Sequence, residues 1–130
     1  MPVEITVYHY AGCSTCRKAR KFLASHSIDA ALIDLKADPP GLATLAELHA
    51  SSALPVKKFF NTSGQSYRGG GFKDRLPAMS DHDAHAALAA DGMLVKRPIL
   101  SIRGADGGRR VLVGFKEADC ADALAVGSSA

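Results

Sequence analysis

Two cysteines separated by two residues, Cys13 and Cys16, stand between a β-branched run and a run with helical spacing. Residues 5–8 have the composition of a strand, and Gly12 allows a sharp reversal of the chain. From Cys16 onward, apolar residues recur at helical intervals. This order predicts a strand, a turn and a helix, with Cys13 at or just before the helix N-terminus.

That position has a chemical consequence for Cys13. The unpaired N–H groups and the positive end of the helix dipole favour an anion, and Arg17 adds a cation nearby, so we expect a stabilised thiolate. Cys16 lies on the same helix face as Ala19 and Leu23, so it should be more buried. The pattern therefore predicts Cys13 as an attacking thiol and Cys16 as a resolving thiol.

The two cysteines have two other interpretations. A structural zinc site usually needs four ligands, and only Cys120 and scattered histidines remain to supply them. Two core cysteines without chemistry would not need a helix start or neighbouring cations. A C-x-x-C motif beside a strand-helix unit thus favours redox chemistry. Cys120 has no partner at motif distance and is interpreted as a buried filler.

Length and composition restrict the class of protein. A chain of 130 residues that is 47% hydrophobic can fill one core, so we expect a single domain over residues 1–130. Three cysteines without an export signal favour a reducing compartment, the cytoplasm. No apolar run approaches the roughly 20 residues of a membrane helix. The net charge of +3 is spread along the chain and tryptophan is absent, so direct nucleic-acid binding is not expected.

The rest of the chain predicts further elements. We expect a second strand at 30–35, a helix beginning at Pro40, a short helix within 54–61 and a helix at 80–90 capped by Ser80. Residues 67–71 are predicted to form a loop. A hairpin with strands 99–102 and 111–114 and a turn at 105–108 should precede a last helix at 116–126 and a frayed tail. Exposure to solvent is predicted for His82 and His85, and His49 is predicted to be either solvated or a residue at the C-terminal end of its helix.

Four segments in the same order carry a resemblance to a known family: residues 8–18, 57–64, 91–98 and 113–117. Together they make the chain similar to the glutaredoxin-linked arsenate reductase and Spx family, and most similar to its reductase-like uncharacterised branch. The likeness covers nearly the entire chain. It implies an α/β, thioredoxin-like fold, with a four-stranded mixed sheet and an all-helical insertion at about residues 39–95.

The resemblance also implies a site. The bond between Arg97 and Pro98 should be cis and lie opposite Cys13, so that Arg97 can bind an anion and the Pro98 backbone can pair with a thiol peptide. The predicted catalytic residues are Cys13, Cys16 and Arg97. The predicted substrate-binding residues are Gly12, Ser14, Thr15, Arg17, Pro98, Asn61 and Arg68. No metal or bound cofactor is expected; glutathione or another thiol would be the co-substrate, and a small thiol, glutaredoxin or thioredoxin the reductant.

Departures from the family pattern separate its functions. Arsenate reductases of this type use three arginines around one cysteine, and two of those positions correspond here to Asn61 and Gly114. Each missing cation would cost about 10²-fold in an oxyanion site, which predicts inefficient arsenate reduction. The second cysteine, Cys16, favours a thiol-disulfide redox protein. The alternative is an Spx-like regulator, in which the same disulfide controls binding to RNA polymerase.

Overall fold

The computed structural model describes residues 4–104 and 108–124, which divide into two compact units. The first unit comes from residues 1–33 and 97–130, and the second from residues 34–96. The strands are β1 (Glu4–His9), β2 (Ala31–Asp34), β3 (Ile99–Arg103) and β4 (Arg109–Val113). The α-helices are α1 (Ser14–Ser25), α2 (Leu42–Ser52), α3 (Gln65–Gly69), α4 (Phe72–Arg75), α5 (Asp81–Ala90) and α6 (Glu117–Leu124). Short 3₁₀ helices span Val56–Phe59, Leu76–Ala78 and Gly92–Leu94.

The strands form one sheet in the order β2-β1-β3-β4. β1 pairs antiparallel with β3, with Val7 opposite Leu100, and β3 pairs antiparallel with β4, with Ser101 opposite Val111. α1 connects the neighbouring strands β1 and β2 as a crossover helix, the connection that parallel strands require. The predicted four-stranded mixed sheet of a thioredoxin-like fold is confirmed.

One face of the sheet carries the core of the first unit. Alternating residues of β1 and β3 point to this face because successive strand side chains point to opposite sides. They pack with residues of α1 and α6; the cluster consists of Ile5, Val7, Phe22, Leu23, Leu100, Ile102, Cys120 and Ala121. Cys120 is 1% exposed, so its interpretation as a buried filler is confirmed. α1 is thereby fixed against the sheet at its apolar face.

Helices and short turns make up most of the second unit, which contains the segment predicted as the helical insertion. α2 packs on α5, and Leu45, Leu48 and Leu88 are buried. The predicted cap of α5 is confirmed, since the Ser80 hydroxyl accepts a hydrogen bond of 3.1 Å from the N–H of Asp83. Pro40 does not occupy the first helical turn, because Gly41 is the N-cap of α2 and Pro40 precedes it.

The loop predicted at residues 67–71 is confirmed only at Gly70 and Gly71 and is wrong for residues 67–69. α3 extends to Gly69, and the chain passes through Gly70 and the left-handed Gly71, with φ +68°, directly into α4. The rings of Tyr67 and Phe72 stack with centroids 6.0 Å apart, and Phe60 lies 5.6 Å from Phe72. Burial of this aromatic cluster stabilises short helical turns that the glycine-rich sequence would not form alone.

The solvent-exposed histidines were predicted only in part. His82 is exposed, whereas His85 is buried and lies 2.9 Å from His49, nitrogen to nitrogen. The spacing of His82 and His85 did not show that their side chains face opposite environments. Of the predicted hairpin turn, residues 105–107 lie outside the described residues, as do the end of the last predicted helix and the tail.

Candidate redox site

The site is built where β1 leads into α1. The N–H of Cys13 donates to the carbonyl of Tyr10 at 3.0 Å, which closes the turn between the two elements. Cys13 is the N-cap residue of α1 in an extended conformation, and its carbonyl accepts from the N–H of Arg17 at 3.1 Å. A Cβ at Gly12 would lie 2.8 Å from the Tyr10 ring, so glycine lets the ring lie close to the turn. The predicted helix start is confirmed.

The two sulfur atoms of this turn differ in exposure. Cys13 is half-buried, whereas Cys16 is 0% exposed on the buried face of α1. Their side chains are hydrogen-bonded to each other, and both cysteines are free. Cys13 is therefore the sulfur that a substrate can reach, with Cys16 in contact behind it.

The surroundings of Cys13 favour its thiolate. Partial burial raises the pKa of Cys13, but the N–H of Cys16, the thiol of Cys16, the N–H of Thr15 and the charge of Arg97 together lower it below its ordinary value. The N–H groups belong to the first turn of α1, where no intrahelical acceptor is available for them. This is the direction that the sequence predicted, and the helix start is one of its causes.

Cys16 is shifted in the opposite direction. Burial raises the pKa of Cys16 to about 11, with further contributions from its hydrogen bond to Cys13 and from the charge on that sulfur. A backbone hydrogen bond from Tyr10 and the charge of Arg97 lower the pKa by less. At neutral pH Cys16 is thus a thiol, and its hydrogen bond to Cys13 favours the thiolate form of that sulfur.

Arg97 is the cation whose charge acts on both cysteines. Its guanidinium carbon lies 5.3 Å from the centroid of the Tyr10 ring, a cation–π contact. Arg17, which sequence reasoning placed near Cys13 as the cation, instead donates to the carbonyl of Ala11 at 3.2 Å. Arg97 comes from a distant part of the chain, just before β3, so the sequence near Cys13 does not reveal it as the cation.

The peptide bond between Arg97 and Pro98 is cis, as the resemblance implied. Pro98 is buried, and its carbonyl accepts a hydrogen bond of 2.8 Å from the N–H of Gly114. Gly114 has a φ of +80°, in the left-handed region that favours glycine. A side chain at this position would therefore be strained.

The remaining predicted residues fall into two groups. Ser14 and Thr15 lie in the first turn of α1 beside Cys13, exposed and half-buried respectively. Asn61 and Arg68 belong to the second unit: the N–H of Asn61 donates to the carbonyl of Leu94 at 2.8 Å, and Arg68 is exposed on α3. Their roles in substrate binding stay predictions.

Tyr10 is the residue that sequence reasoning missed. It closes the turn through its carbonyl, donates a backbone hydrogen bond to Cys16 and contacts Arg97 with its ring. The available signal was an aromatic residue directly before the Ala11-Gly12 turn, where a ring can pack against the turn. Its contact with Arg97 could be seen only after folding.

The described residues were also compared with the requirements of a metal site and of a membrane-spanning helix. Over residues 4–104 and 108–124, no three His, Cys, Asp or Glu side chains come together in an arrangement suited to a metal ion. In the same part of the chain, no helix is long and apolar enough to cross a membrane. The arrangement found is a pair of sulfurs, one activated and one protonated, beside an arginine.

Comparisons with known proteins were made on the sequence and on the structure. Residues 8–123 match the ArsC family. The chain is 43% identical over 115 residues to the uncharacterised protein YusI of Bacillus subtilis, covering 88% of this chain and 93% of that protein. It is 25% identical over 98 residues to an arsenate reductase of Rhizobium meliloti, covering 75% of this chain and 69% of that protein. A possible arsenate reductase of Streptococcus mutans superposes with a TM-score of 0.77 at 41% identity, covering 88% and 93%.

Proposed function

Because the chain belongs to the ArsC family, we propose that it is a thiol-disulfide oxidoreductase that reduces a disulfide or a small oxidised or oxyanion substrate with Cys13 and Cys16. The observation that carries the proposal is the opposite shift of two sulfurs in contact. The pKa of Cys13 is lowered and that of Cys16 is raised to about 11. An attacking thiol needs a lowered pKa, because the thiolate is the nucleophile. A resolving thiol with a raised pKa stays protonated until the mixed disulfide has formed.

The first step forms a mixed disulfide. The Cys13 thiolate attacks one sulfur of a substrate disulfide, a sulfur–sulfur bond forms to Cys13, and the substrate's own bond breaks. The electron pair of that bond leaves with the second substrate sulfur as a thiolate, which takes a proton from solvent. Arg97 lies where its charge can offset the negative charge spread over the sulfurs during attack.

The second step releases the rest of the substrate. Cys16 loses its proton as it attacks the Cys13 sulfur, and the bond from Cys13 to the substrate breaks. The departing substrate thiolate gains a proton, so the substrate is reduced by two electrons and Cys13 and Cys16 become a disulfide. The existing contact between the two side chains supports this step, because little movement is needed to join them.

A thiol reductant must then restore the dithiol. Glutathione or another small thiol, glutaredoxin or thioredoxin would attack the disulfide at its more exposed sulfur, Cys13. Such reductants are maintained in the cytoplasm, where we place the reaction. Gly12, Ser14, Thr15 and Arg17 would contact the substrate around the sulfur, with the Arg97–Pro98 backbone opposite.

Arsenate is the less favoured substrate of this site. Arg97 is the arginine whose charge acts on Cys13. The family resemblance implies that Asn61 and Gly114 replace two arginines of arsenate reductases. Gly114 favours the absence of a side chain through its φ of +80°. We therefore propose disulfide reduction as the principal activity and expect arsenate turnover to be slow.

The proposal is tested with glutathione disulfide as the oxidant and intact-mass analysis as the measurement. Cys13→Ser should form no mixed disulfide, and Cys16→Ser should accumulate one at Cys13, because the resolving thiol is gone. The wild-type chain should form an internal disulfide. Cys120→Ser is the matched control, since Cys120 is equally free and buried in the core. A mixed disulfide on Cys16 or Cys120 in place of Cys13 would contradict the proposal.

The same pair of sulfurs would also serve an Spx-like regulator, whose disulfide controls binding to RNA polymerase. The contact between Cys13 and Cys16 favours disulfide formation in either case. A pull-down of purified RNA polymerase with the reduced and the oxidised chain separates the two. Binding that changes with the redox state would favour the regulator, and no binding in either state would count against it.

A further inference from the structure

A cavity is lined entirely by residues within 49–81, which are distant from the cysteines in sequence. It has a volume of about 450 Å³, within the range of roughly 300–1,000 Å³ that small-molecule sites occupy. Its apolar lining comes from Pro55, Val56, Leu76 and Pro77. All of these belong to the second unit, and the redox proposal uses none of them.

Two cations line the same cavity. Lys57 and Lys73 contribute to its wall, and in the part of the chain that the structure describes neither forms an ion pair. Asp81 also lines the cavity, but it lies in the first turn of α5, where the helix dipole stabilises its charge. The lining therefore carries an excess of positive charge beside apolar surface.

His49 lines the cavity with a neutral ring in the hydrogen-bonded arrangement that the structure shows. Both of its ring nitrogens form hydrogen bonds. Nε2 lies 2.9 Å from the carbonyl oxygen of Leu54, which can only accept, so Nε2 carries the proton. Nδ1 then accepts from Nε2 of the buried His85 at 2.9 Å. This chain of hydrogen bonds fixes the ring of His49 as part of the cavity wall.

A second ring in the wall is also held in place. Tyr67 lines the cavity and is 6% exposed, and its ring stacks on Phe72. Rings held by packing present a preformed apolar surface, which lowers the entropic cost of binding a planar ligand. Together, the fixed rings, the apolar side chains and the ammonium groups of Lys57 and Lys73 favour a specific kind of ligand.

We propose that this cavity binds a small organic anion with a planar apolar body and a single acidic group. The apolar body would contact Val56 and Leu76, and the acidic group would interact with Lys57 and Lys73. The site does not depend on the cysteines, so a Cys13→Ser chain should bind such a ligand as the wild type does.

The probe is 8-anilinonaphthalene-1-sulfonate, with N-phenyl-1-naphthylamine as its uncharged counterpart. Lys57→Gln and Lys73→Gln should each weaken binding of the sulfonate about threefold, the size of an exposed charge contact, and leave the uncharged probe unaffected. Lys58→Gln is the matched control, because Lys58 is exposed on the same short helix but does not line the cavity. An equal effect of Lys58→Gln, or no effect of either cavity lysine, would overturn the proposal.

A measurement on the unmodified chain guards against variants that fail to fold. Titration with the sulfonate, followed by backbone amide shifts, should perturb residues 55–57 and 73–81 first. Shifts confined to the surface of the first unit would mean that the probe binds elsewhere, and the proposal would be wrong. Val56→Trp should fill the cavity and abolish binding of both probes.

Discussion

At the scale of single residues, the chemistry of the first unit depends on a difference between two sulfurs three positions apart. Cys13 lies at the N-terminal end of α1, where backbone N–H groups are available as donors. Cys16 lies one turn further along, on the buried face of the helix. Arg97 adds a charge that neither the turn nor the helix supplies. The side chain that most directly tests this account is therefore the arginine.

Replacing Arg97 by glutamine should raise the pKa of Cys13, because the thiolate loses an opposite charge. The measurement is the rate of alkylation of Cys13 by iodoacetamide between pH 5 and 9, in a Cys16→Ser, Cys120→Ser background. The midpoint of the rate profile should move to higher pH in the Arg97→Gln chain.

Arg17→Gln is the matched control, because Arg17 is nearer in sequence but donates to the carbonyl of Ala11. It should leave the midpoint close to that of the parent chain. If Arg17→Gln shifted the midpoint and Arg97→Gln did not, the assignment of the charge to Arg97 would be wrong.

At the scale of elements, helix ends and close contacts decide where the second unit turns. Ser80 caps α5, and a side chain at Gly92 would collide with the carbonyl of Leu35. The left-handed Gly71 separates α3 from α4. These positions hold short elements in place that have little stability of their own.

The Ser80 cap gives a direct estimate of one such contribution. Ser80→Ala removes the acceptor for the N–H of Asp83, so the free energy of unfolding should fall by about 1 kcal/mol. Ser80→Asp should retain most of the stability, because a carboxylate can accept the same hydrogen bond. Urea unfolding followed by circular dichroism measures both, and equal loss in the two variants would rule out capping as the cause.

At the scale of the whole molecule, the two units are coupled to pH through different groups. Cys16 and Cys120 keep their protons to a pKa of about 11, so the folded chain should lose stability as the pH rises above the ordinary thiol value of about 8.5. His85 acts at the other end of the scale. Burial lowers the pKa of His85, with contributions in the same direction from His49 and His82 and an opposing one from Asp81.

A lowered histidine pKa makes stability fall in acid. The unfolded chain takes up a proton on His85 near pH 6.5, where the folded chain does not, so the free energy of unfolding should be lower at pH 5.5 than at pH 7.5. His85→Gln should show a smaller pH dependence in urea unfolding. His82→Gln, which removes an exposed histidine of the same helix, should retain most of the pH dependence, because His82 contributes less than burial to the lowered pKa of His85; a loss of pH dependence as large as in His85→Gln would contradict the assignment to His85.

The order of segments and the place of the reactive sulfur followed from local pattern. The β-branched composition of residues 5–8 predicted β1, and the helical spacing that follows predicted α1 and the burial of Cys16, because period and burial are linked within a helix. Ser80 and the helix after it were predicted for the same reason. These features depend on interactions between residues that are close together in the sequence, so the sequence alone is enough to predict them.

Only the tertiary structure decided which residues from distant parts of the chain contact these elements. The helical turns at residues 65–75 depend on aromatic rings from separate segments, and the burial of His85 depends on His49, 36 positions away. The contact of Arg97 with Tyr10 joins the two separate chain segments that make up the first unit. These are contacts between distant residues, and their energies appear only when the chain brings the partners together.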